Sequence, residues 1–182
     1  MNIKGENILL RAIEEDDLKS LHKWSNDQET QYWLGGWHLP SSEIVMQDWL
    51  KRITKDNNNV RFAIDHNELG FVGTANLVEI NWKDRNATHG ILLGEKEIRG
   101  KGIGVDVVTT IMKYAFEELG LQRLDTTIIE YNSASIKLYI EKCGWKKEGV
   151  RRNWYFRKNK FWDKLIVGIT RDDYFEQIEN RK

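Results

Sequence analysis

The sequence predicts one α/β domain, a central mixed, mostly antiparallel sheet flanked by helices, in the order βααβββαβαββ over residues 1–182. Three observations lead there. Three apolar runs between residues 60 and 94 are joined by links so short that only hairpins fit, which makes an antiparallel meander. A long amphipathic stretch then separates the last of these runs from the next strand-like run, "LDTTIIEY", and such a crossover makes part of the sheet parallel. No linker, repeat or low-complexity tract divides the 182 residues, a length that suits a single core.

The elements follow in order. "ILLRAI", Ile8 to Ile13, reads as the first strand, and the acidic "EEDD" opens a helix whose Leu18, Leu21 and Trp24 keep helical spacing. "DQETQYWLGGWHLPS" reads as an aromatic-rich loop holding the only proline, Pro40. Ser41 or Ser42 then caps a second helix carrying Ile44, Val45, Trp49, Leu50 and Ile53. The strands "VRFAID", "GFVGTANLVEI" and "ATHGILLG" are separated by the turns "HNELG" and "NWKDRN". Val107, Val108, Ile111, Met112, Ala115, Phe116 and Leu119 mark the buried stripe of a helix ending at Gly120. After the strand "LDTTIIEY", Asn132 caps the helix "SASIKLYIEKCG". A hairpin, Trp145 to Phe156 and Phe161 to Thr170, turns at "RKNK".

Composition narrows the partners. The 28 basic and 28 acidic residues balance, which argues against nucleic acid or an anionic membrane as the main partner. The hairpin "VRRNWYFRKNKFWDK" mixes bases with aromatics, a pattern open to RNA but equally explained by strand alternation. The single cysteine, Cys143, rules out an internal disulfide, fits a reducing compartment and has no metal-ligand spacing around it, so no metal is expected. The opening "MNIKGENILLRA" lacks the pattern of a signal peptide, and no apolar run is long enough to cross a bilayer. A cytoplasmic protein is the expectation. The 8 tryptophans suit a packed core, although several in one region can also line a cleft.

The stretch "RGKGIG", Arg99 to Gly104, strips three alternate positions of side chains just before a helix whose first amides have no internal partner. Such a loop holds an anion. A nucleotide-hydrolase loop needs Lys and Ser or Thr after its last glycine, and Val105 and Asp106 stand there instead. A dinucleotide fingerprint fails on glycine spacing, and Asp125 lies at the start of its strand rather than its end.

"RGKGIG" together with "EYNSASIKLYIEKCGWKKEG" downstream resembles the GNAT superfamily of acetyl-coenzyme A-dependent N-acetyltransferases. The resemblance runs from "LRAIEEDDL" to "FWDKLIVGIT", and within the superfamily it points to the branch of ribosomal-protein N-terminal acetyltransferases and bacterial spermidine acetyltransferases. It implies that acetyl-coenzyme A is the cofactor, its pyrophosphate on the amides of Arg99, Gly100, Lys101, Gly102, Ile103 and Gly104. It further implies backbone contacts of Leu93 and Gly94 with the pantetheine arm, contacts of Asn132 and Ser135 with that arm or the adenine-side phosphates, and Tyr139 as the acid.

An alkyl amine is protonated at neutral pH, so a base must free its lone pair; attack on the thioester then forms a tetrahedral oxyanion and expels a thiolate. Glu79 and His89 are the candidate bases, with a relaying water as the third option; relatives often carry glutamate where His89 stands. No side chain stands out as a nucleophile, so direct attack is expected.

In such proteins the acceptor pocket is built by the regions holding Trp33, Trp37, His38 and Trp82, whose rings could hold a cation. A polyamine-like small molecule is the implied acceptor. The alternatives are the N-terminus of a ribosomal or other protein, or a non-catalytic coenzyme A-binding or RNA-associated module. Polyamine acetylators tend to carry acids after the "YW" pair, whereas Tyr32 and Trp33 are followed by Leu34, Gly35 and Gly36. A homodimer is the default assembly.

Overall fold

A computed structural model describes residues 1–36 and 39–180. Alternation in "ILLR" turns Ile8 and Leu10 inward and forms β2 (Ile8–Arg11), which pairs with a two-residue β1 (Ile3–Lys4) that the sequence did not announce. α1 (Leu18–Asn26) buries Leu21 and Trp24 as its spacing requires. The aromatic stretch expected as a loop contains a further short helix, α2 (Gln28–Trp33). The Asp27 side chain starts it by accepting from the Thr30 amide, a cap that operates without apolar periodicity. α3 (Glu43–Ile53) is capped by Ser42.

The meander forms as expected, with β3 (Val60–His66), β4 (Gly70–Asn81) and β5 (Asn86–Leu93) in antiparallel register. α4 (Ile103–Lys113) continues into a wide turn at Tyr114–Glu118 and leads to β6 (Arg123–Ile129). α5 (Ser133–Ile136) likewise widens at Lys137–Lys142. β7 (Lys146–Arg157) and β8 (Lys160–Thr170) make the hairpin, whose turn places Lys158 and Asn159 at positive φ. Trp145, expected at the start of that hairpin, precedes β7 and is buried against Tyr139, His89 and Met112. α6 (Arg171–Glu179) was also unforeseen; Thr170 and Asp173 cap it reciprocally.

The strands form one sheet in the order β1-β2-β3-β4-β5-β6-β8-β7, parallel only between β5 and β6. The mixed, mostly antiparallel expectation therefore holds, with helices on both faces. The larger core lies between the sheet and α4 to α6, around Val107, Ile111, Phe116, Leu124 and Val167. A smaller one joins Trp24 of α1 and Leu50 of α3 to Ala63 on the opposite face. β7 is one edge of the sheet; its register shifts at Lys147/Gly149 and Arg151/Tyr155, with Asn153 at φ 52°. Among the described residues no helix is long and apolar enough to cross a membrane, and no cluster of side chains could hold a metal ion.

Candidate functional site

β5 and β6 are paired only at Asn86↔Arg123, Ala87↔Leu124 and Thr88↔Asp125. Beyond that point β5 stays on β4 as far as Gly73↔Leu93, and β6 stays on β8 as far as Ile129↔Lys164. The two strands therefore part, and the backbone edges of residues 89–93 and 126–129 face a split in the sheet. An interior edge of this kind can receive an extended ligand with amide groups of its own.

The glycine loop stands at the wide end of this split. Gly100 and Gly102 have φ of 79° and 85°, values that L side chains rarely adopt. A Cβ added at either would meet nothing within 4 Å, so both glycines border open space. The amides of residues 100–104 donate to no described residue, and no side chain caps the start of α4. Asp106, which could have competed for them, instead accepts from the amides of Glu6 and Asn7 at 2.9 and 2.7 Å. A cleft of about 450 Å³ lies alongside, lined by Lys101, Gly102 and Ile103, with His66 and Lys142 and also the carboxyl-bearing Glu6 and Asp106 on its walls. Gly104 serves packing as well, since a Cβ there would come within 3.2 Å of Leu138 on the helix carrying Tyr139. These residues fit a diphosphate, and with the split they fit the elongated coenzyme. Lys101 is exposed, while the Arg99 guanidinium turns back toward the Leu93 carbonyl at 3.5 Å.

Some expected contacts are already occupied within the protein. The Gly94 amide donates to Val72 O at 3.0 Å, and Gly94 is glycine because the Trp24 indole lies 1.9 Å from where a Cβ would stand. Asn132 is buried; its Oδ1 accepts from the Ser135 amide at 3.1 Å and its Nδ2 donates to Trp33 O at 3.0 Å. The Asn132 side chain is therefore a clasp between α5 and α2 rather than a free cofactor ligand, and Ser135 lends its amide to the same clasp. Tyr131, missed in the sequence, reinforces it by donating to Tyr32 O and stacking on Tyr32 at 4.7 Å.

Tyr139 sits in the wide turn of α5, buried, and its hydroxyl makes no hydrogen bond of good geometry among the described residues, the buried Thr126 hydroxyl being its polar neighbour. Burial raises its pKa well above the usual phenol range, so the hydroxyl stays protonated. Its ring packs edge-on against Trp145 at 5.0 Å and His89 at 5.8 Å. His89 points into the same core with 1% of its surface exposed; its Nδ1 donates to Asn76 O at 2.8 Å, and Nε2 is left bare. Desolvation holds its pKa down to about 4. A group so reluctant to take a proton is a poor base at neutral pH, which corrects the expectation for His89.

The same burial makes stability depend on pH. Because the folded pKa of about 4 lies below the ordinary histidine value of 6.5, the unfolded chain takes up the proton first as pH falls. The contribution is complete above pH 6.5, declines through the interval and levels off below about 4, a loss of about 3 kcal/mol in all. Urea unfolding at pH 7, 5.5 and 4.5 should show that decline in the wild type and a shallower one in His89→Leu, where only the paired carboxylates such as Glu95 and Asp173 still respond. Parallel profiles for the two proteins would refute the assignment.

Glu79 lies in a bulge of β4 at φ 54°, its N–H donating to Asn59 Oδ1 rather than to a ladder carbonyl. Its carboxylate is exposed and accepts from Thr88 Oγ1 at 3.1 Å, and Thr88 is the last residue of β5 paired to β6. The bulge thus aims a solvated carboxylate at the apex of the split. Trp33 joins Tyr32 and Tyr131 near the far end of β6. Trp82 does not join them: it lies in the turn between β4 and β5, at the closed end of the split, hydrogen-bonded to Asn58. Trp37 and His38 lie outside the described residues.

Comparison with known proteins bears on the family and the fold. The profile of the acetyltransferase (GNAT) domain matches residues 7–146. An N-acetyltransferase of the SPbeta prophage in Bacillus subtilis, YokL, is 32% identical over 172 residues, covering 93% of each chain. A spermidine N(1)-acetyltransferase of Vibrio cholerae is 25% identical over 176 residues, 96% of this chain and 99% of that one. The crystal structure of spermidine N-acetyltransferase from Vibrio cholerae in complex with CoA and spermine superposes with a TM-score of 0.85 at 24% identity, covering 93% and 98% of the two chains.

Proposed function

Because the chain belongs to the GNAT acetyltransferase family, whose members use acetyl-coenzyme A, we propose that it acetylates a primary amine of a small molecule by direct attack at the split between β5 and β6. The observation that carries this reading is the set of partnerless amides at residues 100–104, placed where β5 and β6 have parted. When bound, acetyl-coenzyme A supplies the thioester carbonyl. The amides of Gly100 to Gly104 hold its diphosphate, helped by the positive end of α4.

Glu79 takes the proton from the incoming amine, directly or through a water held at its exposed carboxylate. Tyr139 keeps its proton on Oη, ready for the departing sulfur, because burial disfavours the phenolate more than the neighbouring Thr126 hydroxyl favours it. His89 and Trp145 fix the position of the Tyr139 ring from behind.

Free-thiol release from acetyl-coenzyme A, screened over polyamines, N-terminal peptides, amino sugars and aminoglycosides, tests the activity; silence with all four classes would refute it. Glu79→Gln should lower kcat about 100-fold with coenzyme affinity unchanged. The deficit should shrink as pH approaches the amine's own pKa near ~10, where the free amine is abundant. An unaltered kcat would assign proton removal to water alone.

The names of the relatives make a polyamine the first acceptor to try. The local surroundings favour it less. A side chain at Gly35 would lie 2.9 Å from the Tyr155 hydroxyl, so no acid fits there without movement. The Tyr32 face already carries the Lys158 ammonium at 4.4 Å, Glu29 is paired with Lys96, and a polycation would have to displace both cations.

A further inference from the structure

The sheet face beneath α1 and α3 carries a polar row that the chemistry above leaves unused. Arg61 on β3 stands opposite Asn76 on β4, and Asn76 stands opposite Gly90 on β5. Gly90 belongs to the part of β5 that has left β6, so the row ends at the split. A Cβ at Gly90 would come within 3.1 Å of Asn76 Nδ2, which means that the carboxamide reaches over β5.

Two atoms of this row are buried without a hydrogen-bond partner among the described residues, Arg61 Nε and Asn76 Oδ1. Among the described residues no carboxylate forms an ion pair with Arg61; Asp56 acts on it only from a distance, and burial disfavours its charge. The Trp49 ring lies 6.0 Å from the guanidinium. A half-buried guanidinium facing a neutral amide across the ladder, with an aromatic wall, is an unfilled demand for an anion. It also repels a polycation.

We propose that Arg61 and Asn76 are specificity residues of the acceptor pocket, and that the acceptor is a primary amine that also carries a carboxylate. The proposal rests on the acetyl-transfer reading. Arg61 binds the carboxylate through its fork of N–H donors, and Asn76 accepts a hydrogen bond from the body of the substrate on its way to β5. Two strand spacings separate Arg61 from Gly90, about 10 Å. Amine and carboxylate are therefore several bonds apart, as in a free lysine-type amino acid or a short peptide with an acidic side chain near its N-terminus.

The test uses matched amines, lysine against cadaverine, which differ only by the carboxylate, and a peptide with aspartate at its second position against the same peptide with alanine. Thiol release is followed with the full chain. The wild type should favour the carboxylate-bearing member of a pair by about tenfold or more in kcat/KM. Which pair shows the larger gap separates the free amino acid from the peptide. Arg61→Gln should close the gap by raising KM for that acceptor, with KM for acetyl-coenzyme A unchanged. Asn76→Glu, which sets a carboxylate against Arg61, should invert the preference toward cadaverine and gives an independent reading if Arg61→Gln folds poorly. Equal use of both members by the wild type, or a gap that survives both substitutions, would overturn the proposal and leave acetyl transfer standing. Absence of thiol release with every amine would overturn both.

Discussion

Gly102→Val is expected to weaken coenzyme A binding by about 100-fold or more, read by calorimetry on the purified protein. Gly102 caps α4 at φ 85° and ψ −12°, a left-handed conformation that a β-branched residue adopts only at a cost of about 1–2 kcal/mol or more. The space around its missing Cβ is empty, so the substitution does not clash; it turns the backbone. Turning it redirects the neighbouring amides, and each charge-assisted bond from an amide to a phosphate contributes about 1.5–3 kcal/mol. Losing one or two of them gives the stated factor. Unaltered affinity would mean that the diphosphate is held elsewhere, and the function proposed for the loop would fall with it.

Tyr139→Phe should lower kcat by about 10²- to 10⁴-fold while coenzyme A binding persists. A second readout separates chemistry from structure. The Tyr139 hydroxyl is buried with Thr126 as its polar neighbour and no hydrogen bond of good geometry, and a poorly satisfied buried hydroxyl costs about 1–3 kcal/mol. Phenylalanine keeps the ring contacts with His89 and Trp145 and removes that penalty, so the variant should melt at the same or a higher temperature than the wild type. An enzyme that is stabler and slower is the signature of a polar group retained for catalysis. Undiminished turnover would remove Tyr139 from the mechanism.

The meander and the crossover were legible because periodicity and link length are local properties of the chain. α2 and α6 were not, since both start from capping side chains, Asp27 and the Thr170/Asp173 pair, with little apolar stripe to announce them. The glycine loop was readable for the opposite reason: three glycines before a helix have few uses. Burial separated the two candidate bases, placing His89 in the core and Glu79 at the surface, and a single sequence does not reveal which face of a strand a helix will cover. Asn132 was a sound cap, as expected, but its second hydrogen bond to Trp33 O depends on a contact 99 residues away. Arg61 and Asn76 sit on different strands and meet only through register.

The rims of the sheet also bear on how copies of the chain can associate. β1 offers two residues, and β7 is broken by two bulges and studded with Lys146, Lys147, Arg151, Arg152 and Arg157. Neither rim presents a flat, uncharged run of main-chain donors and acceptors on which a foreign strand could zip. Both rims therefore oppose strand addition, and the main-chain groups still open to a newcomer lie inside the split between β5 and β6.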